Sequence, residues 1–505
     1  MEFFPFLWGI FMEFFPFFIV DFMEFFPVIC VICSFLITLR KNIDEAMLKR
    51  KFAEYLEKFL IDNPHKILLV NGARQIGKSY IIRYVGKKLF RNFIEINLKA
   101  DQEGEHIFAS VKSKDDFYLQ LGAIAGMQLG DRTDTLVFLD EIQSYPHLMT
   151  MLKFLNEDGR YRYVASGSQL GVALSETPSV PIGSVAIEQM YPLDFEEFLW
   201  AMGCDEQTIG EVRSKFLAAE TLTDSMHGYL LRQFKIYLLV GGMPDVINKF
   251  LENRNIAEVR AIQRDIHDLY RIDASQYDDG RRLSIRRIYD MIPSNMENKK
   301  KRVVVSNISG TKSHKQFSDY AEEFEYLTNS GIALSVNAIS NPKFPLAESE
   351  SKSLLKLYLS DVGLLTCLLY STNINAVLRD ERSVNLGSVY ESVVAQEFHA
   401  HGYQLHYYDN KQRGEVDFLV DDYDSLTVLP VEVKSGKDYR VHSALDKFLS
   451  TPDYHIRQAV VLSNEQRVYR DGDILYMPVY YCMFFCCHDV KSADVTIPEL
   501  PVPKG

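Results

Sequence analysis

At 505 residues, with 47% hydrophobic and 12% aromatic side chains, the chain has material for about three domains, each with its own core. Its 55 basic and 68 acidic side chains, net −13, exclude a uniformly basic polyanion binder, so any nucleic-acid contact has to be local. Seven cysteines without the spacing of a secreted disulfide framework point to a reducing, cytoplasmic setting.

Residues 1–46 are apolar and repetitive. Met1-Glu-Phe-Phe-Pro5 returns at Met12 to Pro16 and at Met23 to Pro27, an eleven-residue repeat. Three readings compete. A membrane anchor would use Arg40 and Lys41 as its cytoplasmic flank, but the longest uncharged run, Phe25 to Leu39, is 15 residues, short for a span. A signal peptide would open on a basic region, where Glu2 and Glu13 stand. The third, preferred over the anchor, takes the repeat as translated upstream sequence and starts the functional chain at Met47. Cys30 and Cys33 form a C-x-x-C inside this apolar run and are read as buried thiols, as are Cys482, Cys486 and Cys487 in the aromatic, strand-like segment Val479 to His488.

Residues 47–198 alternate strands and helices, which predicts a parallel α/β sheet with helices on both faces. The strands fall at Ile67–Val70, Phe93–Asn97, Leu136–Leu139 and Tyr161–Ala165. After the first come Gly72, Ala73, Arg74, Gln75, Ile76, Gly77, Lys78 and Ser79, the G-x-x-x-x-G-K-S of a phosphate-binding loop, followed by a helix-forming stretch. The glycines let backbone N–H groups close around phosphates. Lys78 supplies a charge for the β/γ oxygens, and the Ser79 hydroxyl is placed for Mg²⁺. About sixty residues on, Thr135 to Leu139 runs into Asp140 and Glu141. There Asp140 would hold Mg²⁺ and Glu141 would polarise the attacking water. The strand ending at Ala165 runs into Ser166-Gly-Ser168, where the Ser168 hydroxyl could sense the γ-phosphate.

Residues 199–275 read as a helical lid, broken at Gly241-Gly-Met-Pro244. Residues 276–350 carry Arg281, Arg282, Arg286, Arg287, Lys299, Lys300, Lys301 and Arg302, a basic cluster in an acidic chain. Short helices, a helix over Phe317–Asn329, Gly331 and an alternating strand follow the order of a winged-helix module, whose basic flanks would meet DNA phosphates.

In residues 351–505, Gly414-Glu-Val-Asp417-Phe-Leu-Val420 predicts one strand and Val431-Glu432-Val-Lys434 a second. Period two puts Glu432 and Lys434 on one face. Upstream, Glu391 falls near the start of an amphipathic helix. Two or three carboxylates around a lysine can hold Mg²⁺ and activate water for phosphodiester cleavage; an exposed hairpin with an ordinary Glu/Lys pair is the plainer alternative.

These motifs, with Leu139-Asp-Glu-Ile-Gln143, Tyr191-Pro-Leu-Asp-Phe-Glu-Glu-Phe198, Val240-Gly-Gly-Met-Pro244 and Leu357-Tyr-Leu-Ser-Asp-Val-Gly-Leu-Leu365, resemble a bacterial and archaeal family of AAA-type ATP-binding proteins. Its members carry a C-terminal domain of otherwise unknown function related to PD-(D/E)xK nucleases. The likeness runs from Met47 to about Lys447. It implies a P-loop AAA-type ATPase domain with a helical lid, a winged-helix module and a restriction-endonuclease-like α/β domain, in that order. It assigns ATPase roles to Lys78, Ser79, Asp140 and Glu141, and nuclease-like positions to Glu391, Asp417, Glu432 and Lys434, with Asp417 and Glu432 as metal ligands. Where many members have Gly-Arg this chain has Gly183-Ser184, which removes an arginine from the nucleotide. The expected function is that of a Mg²⁺-dependent ATPase acting on or near DNA. The alternatives are an ATP-gated DNA nuclease and a non-catalytic nucleotide switch that binds a protein partner.

Overall fold

The computed structural model of the chain describes residues 48–63, 65–126, 129–168, 170, 183–274, 281–298, 301–309, 316–379, 386–436 and 438–487. The chain divides into two compact units, Met1–Lys49 and Arg50–Gly505. Every secondary-structure element described belongs to the second, and the apolar repeats, with Cys30 and Cys33, lie outside the described residues. Among the described residues no helix is long and apolar enough to cross a membrane.

Helix α1 (Lys51–Asp62) buries Ala53, Leu56, Phe59 and Leu60, the spacing of a single helical face. After it come β1 (Ile67–Asn71), α2 (Lys78–Leu89), β2 (Asn92–Asn97), α3 (Leu98–Glu103), α4 (Lys114–Ala125), β3 (Thr135–Asp140), α5 (Pro146–Asp158), β4 (Arg162–Gly167) and β5 (Val185–Gln189). The five strands are all parallel, in the order β2-β3-β4-β1-β5. The three interior strands β1, β3 and β4 are buried at every residue, the pattern of strands covered on both faces. A parallel sheet collects its strand C-termini at one edge. The register sets Val70 beside Ser166 and Leu139 beside Ala165, so the ends of β1, β3 and β4 meet there.

Five helices follow: α6 (Phe195–Ala201), α7 (Glu206–Leu217), α8 (Asp224–Val240), α9 (Pro244–Asn253) and α10 (Ile256–Ala274). The turn between α8 and α9 needs glycine. Gly241 has φ +76°, and a Cβ there would stand 2.2 Å from Asp361 Oδ1. The Gly242 N–H donates to Asp361 Oδ2 at 2.6 Å, so the turn is pinned to a buried carboxylate.

Next are α11 (Arg282–Glu297), α12 (Val305–Ser309), α13 (Ala321–Asn329), β6 (Ala333–Ile339), β7 (Glu350–Leu359), α14 (Val362–Tyr370), α15 (Ile374–Leu378) and α16 (Leu386–Ala400). The last elements are β8 (His406–Asn410), β9 (Gly414–Asp422), β10 (Thr427–Lys434), α17 (Ser443–Leu449), β11 (Ala459–Ser463), β12 (Tyr469–Asp471) and β13 (Ile474–Pro478). The β6–β7 hairpin is not free-standing. Strand β6 pairs in parallel with β8, which joins the hairpin to a single eight-stranded sheet of order β12-β13-β11-β10-β9-β8-β6-β7.

Three local expectations are corrected. Of the C-terminal cysteines expected to be buried, Cys482 is, but Cys486 is exposed and Cys487 half-buried. The segment expected to continue strand-like from Val479 is a buried 3₁₀ turn, Val479–Phe484. Helix α16 is not amphipathic: from Ser388 to Phe398 every residue is buried, because β10, α14 and that 3₁₀ turn enclose it. Its carboxylates, Glu391 and Glu397, are therefore buried as well, and buried charge needs partners.

Candidate functional site

The P-loop closes against the strand-end segment after β5. A Cβ on Gly72 (φ +148°) would lie 2.4 Å from Met190 O, so the close approach requires glycine. Gly77, with φ +93°, caps α2, while Ala73 and Ile76 are buried and Gln75 adopts φ +62°. Lys78 Nζ, on the first residue of α2, donates to Gly72 O and Ala73 O, both at 2.8 Å. Burial pulls its pKa down to about 8, with Arg74 adding to the effect and Glu141 and Asp140 opposing it. Ser79 Oγ donates to Asp140 Oδ2 at 2.9 Å, and Ser166 Oγ to Asp140 Oδ1. Glu141 sits in the left-handed region (φ +55°), with its carboxylate accepting from Gln143 Nε2. Ser168 is buried, and its hydroxyl has no hydrogen-bond partner among the described residues. The site thus offers an ammonium held only by carbonyls, a serine–carboxylate pair and a spare hydroxyl, a set able to take a polyphosphate with a divalent cation.

The second site lies where α16, β9 and β10 converge. A cavity of about 420 Å³ is lined by Glu391, Glu415, Asp417 and Lys434, with Lys301 and Asp438 at its wall. Lys434 Nζ donates to Glu432 Oε1 at 2.6 Å, and the Val433 N–H to Asp417 Oδ2 at 2.9 Å. Glu391 Oε1 is paired with Lys301 Nζ. Glu391 Oε2 and Glu432 Oε2 are buried without a hydrogen-bond partner among the described residues. Burial, then the Asp417 charge, push the Glu432 carboxyl up to about 8 against the pull of Lys434. Glu391 is raised for the same two reasons, against Lys301 and Lys356. As they stand, no three His, Cys, Asp or Glu among the described residues are grouped to hold a metal ion.

Residues 64–199 match the family of the AAA domain. This segment is an AAA-type P-loop ATPase domain. Residues 231–375 and 386–482 match two families described as domains of unknown function (DUF8612 and DUF4143). No curated protein matches the chain. Among solved structures, the Walker-type ATPase PABY2304 of Pyrococcus abyssi is 15% identical, covering 66% of this chain and 96% of its own, with a TM-score of 0.38. The RuvB Holliday junction branch migration motor of Thermotoga maritima is 12% identical (61% and 92% covered, TM-score 0.28). The Aeropyrum pernix ORC1 protein, solved in complex with DNA, is 13% identical (65% and 91% covered, TM-score 0.27).

The ATPase domain touches its neighbours through the P-loop itself. Arg74 leaves the phosphate cradle and pairs with Asp273 on α10 at 2.6 Å, and Tyr270 Oη donates to Arg74 O at 2.8 Å. Asn71 Nδ2 reaches Asn329 O, at the end of α13, at 3.3 Å. Arg50 donates to Ile76 O at 3.0 Å and to Tyr191 O at 2.6 Å. The Phe195 N–H, at the start of α6, donates to Glu397 on α16 at 2.9 Å.

The basic cluster is dispersed rather than presented as one face. Arg281 pairs with Glu322, Arg286 lies near Asp290, and Arg287 Nη1 donates to Ile308 O. Arg302 pairs with Asp409 at 3.3 Å; Arg282 is exposed at the start of α11, and Lys299 and Lys300 lie outside the described residues. Sequence reading missed Lys356, whose ammonium is fully buried, pairs with Glu415 and lies 4.5 Å over the Tyr407 ring. Burial works against its charge, but Tyr358, Glu391, Glu415 and Asp417 outweigh burial and hold its pKa well above the ordinary value. No local motif marks Lys356. Glu415 could have been found, since period two sets it on the same face of β9 as Asp417.

Proposed function

We propose that the protein is a Mg²⁺-dependent ATPase of AAA type, its nucleotide state coupled through the helical lid to a winged-helix module and a PD-(D/E)xK nuclease-like domain. It acts on or near DNA, in the cytoplasm. The observation that carries this reading is the meeting of Lys78, Ser79 and Asp140 at one sheet edge, with Ser79 Oγ bonded to Asp140. Ser79 and Asp140 would hold Mg²⁺, which supplies charge neutralisation at the β and γ oxygens. Lys78 exchanges its carbonyl partners for phosphate oxygens. Glu141, at the exit of β3 and steadied by Gln143, orients and polarises the attacking water. Ser168 meets the γ-phosphate with its spare hydroxyl.

Coupling has a physical route. Arg74 and Tyr270 tie the P-loop to α10, and Asn71 ties its strand to α13, so a change in loop geometry is felt by both. Arg281 and Arg286 would meet DNA by exchanging their surface pairs with Glu322 and Asp290, which cost little to break.

The test is phosphate release by the full chain with Mg²⁺, with and without duplex DNA, followed in the same tube as DNA integrity. Release stimulated by DNA and lowered about a hundredfold or more in Lys78→Ala supports the reading. Release indifferent to DNA, with DNA intact, would leave an ATPase or a nucleotide switch whose partner is a protein. A second reading, an ATP-gated DNA nuclease, is favoured by the gathering of Glu391, Asp417 and Lys434 at one cavity with Glu432 beside them. Among the described residues, Glu391 and Glu432 each keep one buried oxygen without a hydrogen-bond partner, which a divalent cation would satisfy, although no three carboxylates are grouped for one as they stand. Such an ion would supply a Lewis acid and an activated water, and Lys434 would keep Glu432 oriented.

A further inference from the structure

The second site is composite. Its carboxylates come from α16, β9 and β10, but two of its three cations come from the preceding segment: Lys301, just past α11, and Lys356, on β7. Four carboxylates, Glu391, Glu415, Asp417 and Glu432, face three ammonium groups, and each ammonium has a carboxylate partner.

The three lysines differ in what holds them. Lys356 is locked within the sheet, its side chain wholly buried. Lys434 lies on the same strand face as its partner Glu432, two residues away. Lys301 belongs to no helix or strand, and its backbone sits in the left-handed region at φ +47°, which a lysine seldom adopts. Among the described residues the segment is tied by Arg302 to Asp409 on β8, the Lys301 N–H to Asn298 O at 3.2 Å, the Val303 N–H to Leu355 O at 2.9 Å, and the burial of Val303. What the strained backbone gains is the contact of the ammonium with Glu391.

Glu391 is 4% exposed and lines the cavity, and its second oxygen has no partner there. A buried, half-satisfied carboxylate beside Asp417 and Glu432 suits a divalent cation, yet no three carboxylates among the described residues are grouped for one, and the Lys301 ammonium neutralises Glu391.

We propose that Lys301 is an internal cation that competes with a divalent metal for Glu391, so that the metal site opens only when the segment 301–303 withdraws. This rests on the nuclease-like reading of the site. The two cations compete because the Lys301 ammonium neutralises the carboxylate whose negative charge the metal needs, so removing one raises the apparent affinity for the other.

The experiment is Mn²⁺ binding to the nucleotide-free full chain, followed by the electron paramagnetic resonance of free Mn²⁺. It compares wild type, Lys301→Met, Arg302→Ala, Asp417→Asn and Lys301→Met with Asp417→Asn. Lys301→Met should bind Mn²⁺ at least about tenfold more tightly than wild type, and the gain should vanish in the double variant. Arg302→Ala, which loosens the segment without entering the cavity, should move affinity in the same direction and serves alone if Lys301→Met fails to fold. Equal affinity in wild type, Lys301→Met and Arg302→Ala, all lost on Asp417→Asn, overturns the competition and leaves the metal site standing. Absence of any Asp417-dependent Mn²⁺ binding overturns both the competition and the metal-dependent nuclease reading.

Discussion

The two charged sites of this chain are built on opposite plans. At the P-loop, among the described residues, a single buried ammonium bonds to carbonyl oxygens and Asp140 is held by hydroxyls, and neither has an ion-pair partner in direct contact. In the second site each of three ammonium groups already pairs with a carboxylate. A site of the first kind gains from an arriving ligand, since phosphate and cation replace weak neutral partners. A site of the second kind must first lose an internal partner. The first is therefore receptive as it stands and the second conditional, although both are made of the same few residue types.

The sharpest way to break this contrast is to disable one site and read the other. Glu141→Gln should lower phosphate release by about a hundredfold while leaving nucleotide binding in place, since it removes only the group that orients water. Asp417→Ala should leave nucleotide binding and basal release unchanged and remove any metal-dependent cutting of DNA. Normal turnover in Glu141→Gln would withdraw its role. A comparable fall in basal release in Asp417→Ala would show that the two sites are one functional unit.

The receptive site is also the one the sequence announces. Its parts sit at strand ends with strong local patterns: a buried apolar run, then Gly72 to Ser79, and a second run ending in Asp140 and Glu141. A parallel sheet brings such ends together whatever the details of packing, so the convergence follows from the alternation of strands and helices. The conditional site is only half visible. Asp417, Glu432 and Lys434 lie on two strands close in sequence, but Lys301 and Glu391 are 90 residues apart, and Lys356 and Glu415 are 59 apart. Nothing local marks such pairs. A lysine in a basic run reads as a solvated surface, and a lysine on an alternating strand reads as its outer face. The burial of α16 on all sides is hidden for the same reason, because part of what covers it comes from far along the chain: Phe195, Tyr237 and the 3₁₀ turn Val479–Phe484.

A smaller effect sharpens the receptive side of the comparison. With a pKa of about 8 in the free protein, Lys78 is partly neutral at mildly alkaline pH. Polyphosphate favours the charged form, so binding raises the pKa and the protein takes up a proton. Uptake should be about 0.1 proton at pH 7, about half a proton at pH 8 and larger at pH 9. Calorimetric titration with nucleotide in buffers of different ionisation enthalpy reads this number directly. Uptake that does not grow between pH 7 and pH 9 would mean that Lys78 is already fully charged before the ligand arrives.

The smallest effect tests the conditional side. The Glu432 carboxyl, pushed up to about 8 by burial and then by Asp417, holds a proton in the folded chain that the unfolded chain has released above about pH 4.3. Its contribution to stability is full below that lower value and is lost as pH rises through about 8, where the folded protein has to ionise a buried group. Gln at this position is neutral at every pH and escapes that loss. In the presence of a chelator, the melting temperature of Glu432→Gln relative to wild type should therefore climb between pH 5 and pH 9, by roughly 2–6 °C. A difference that stays flat across this range would mean that Glu432 is ionised throughout and fully matched by Lys434.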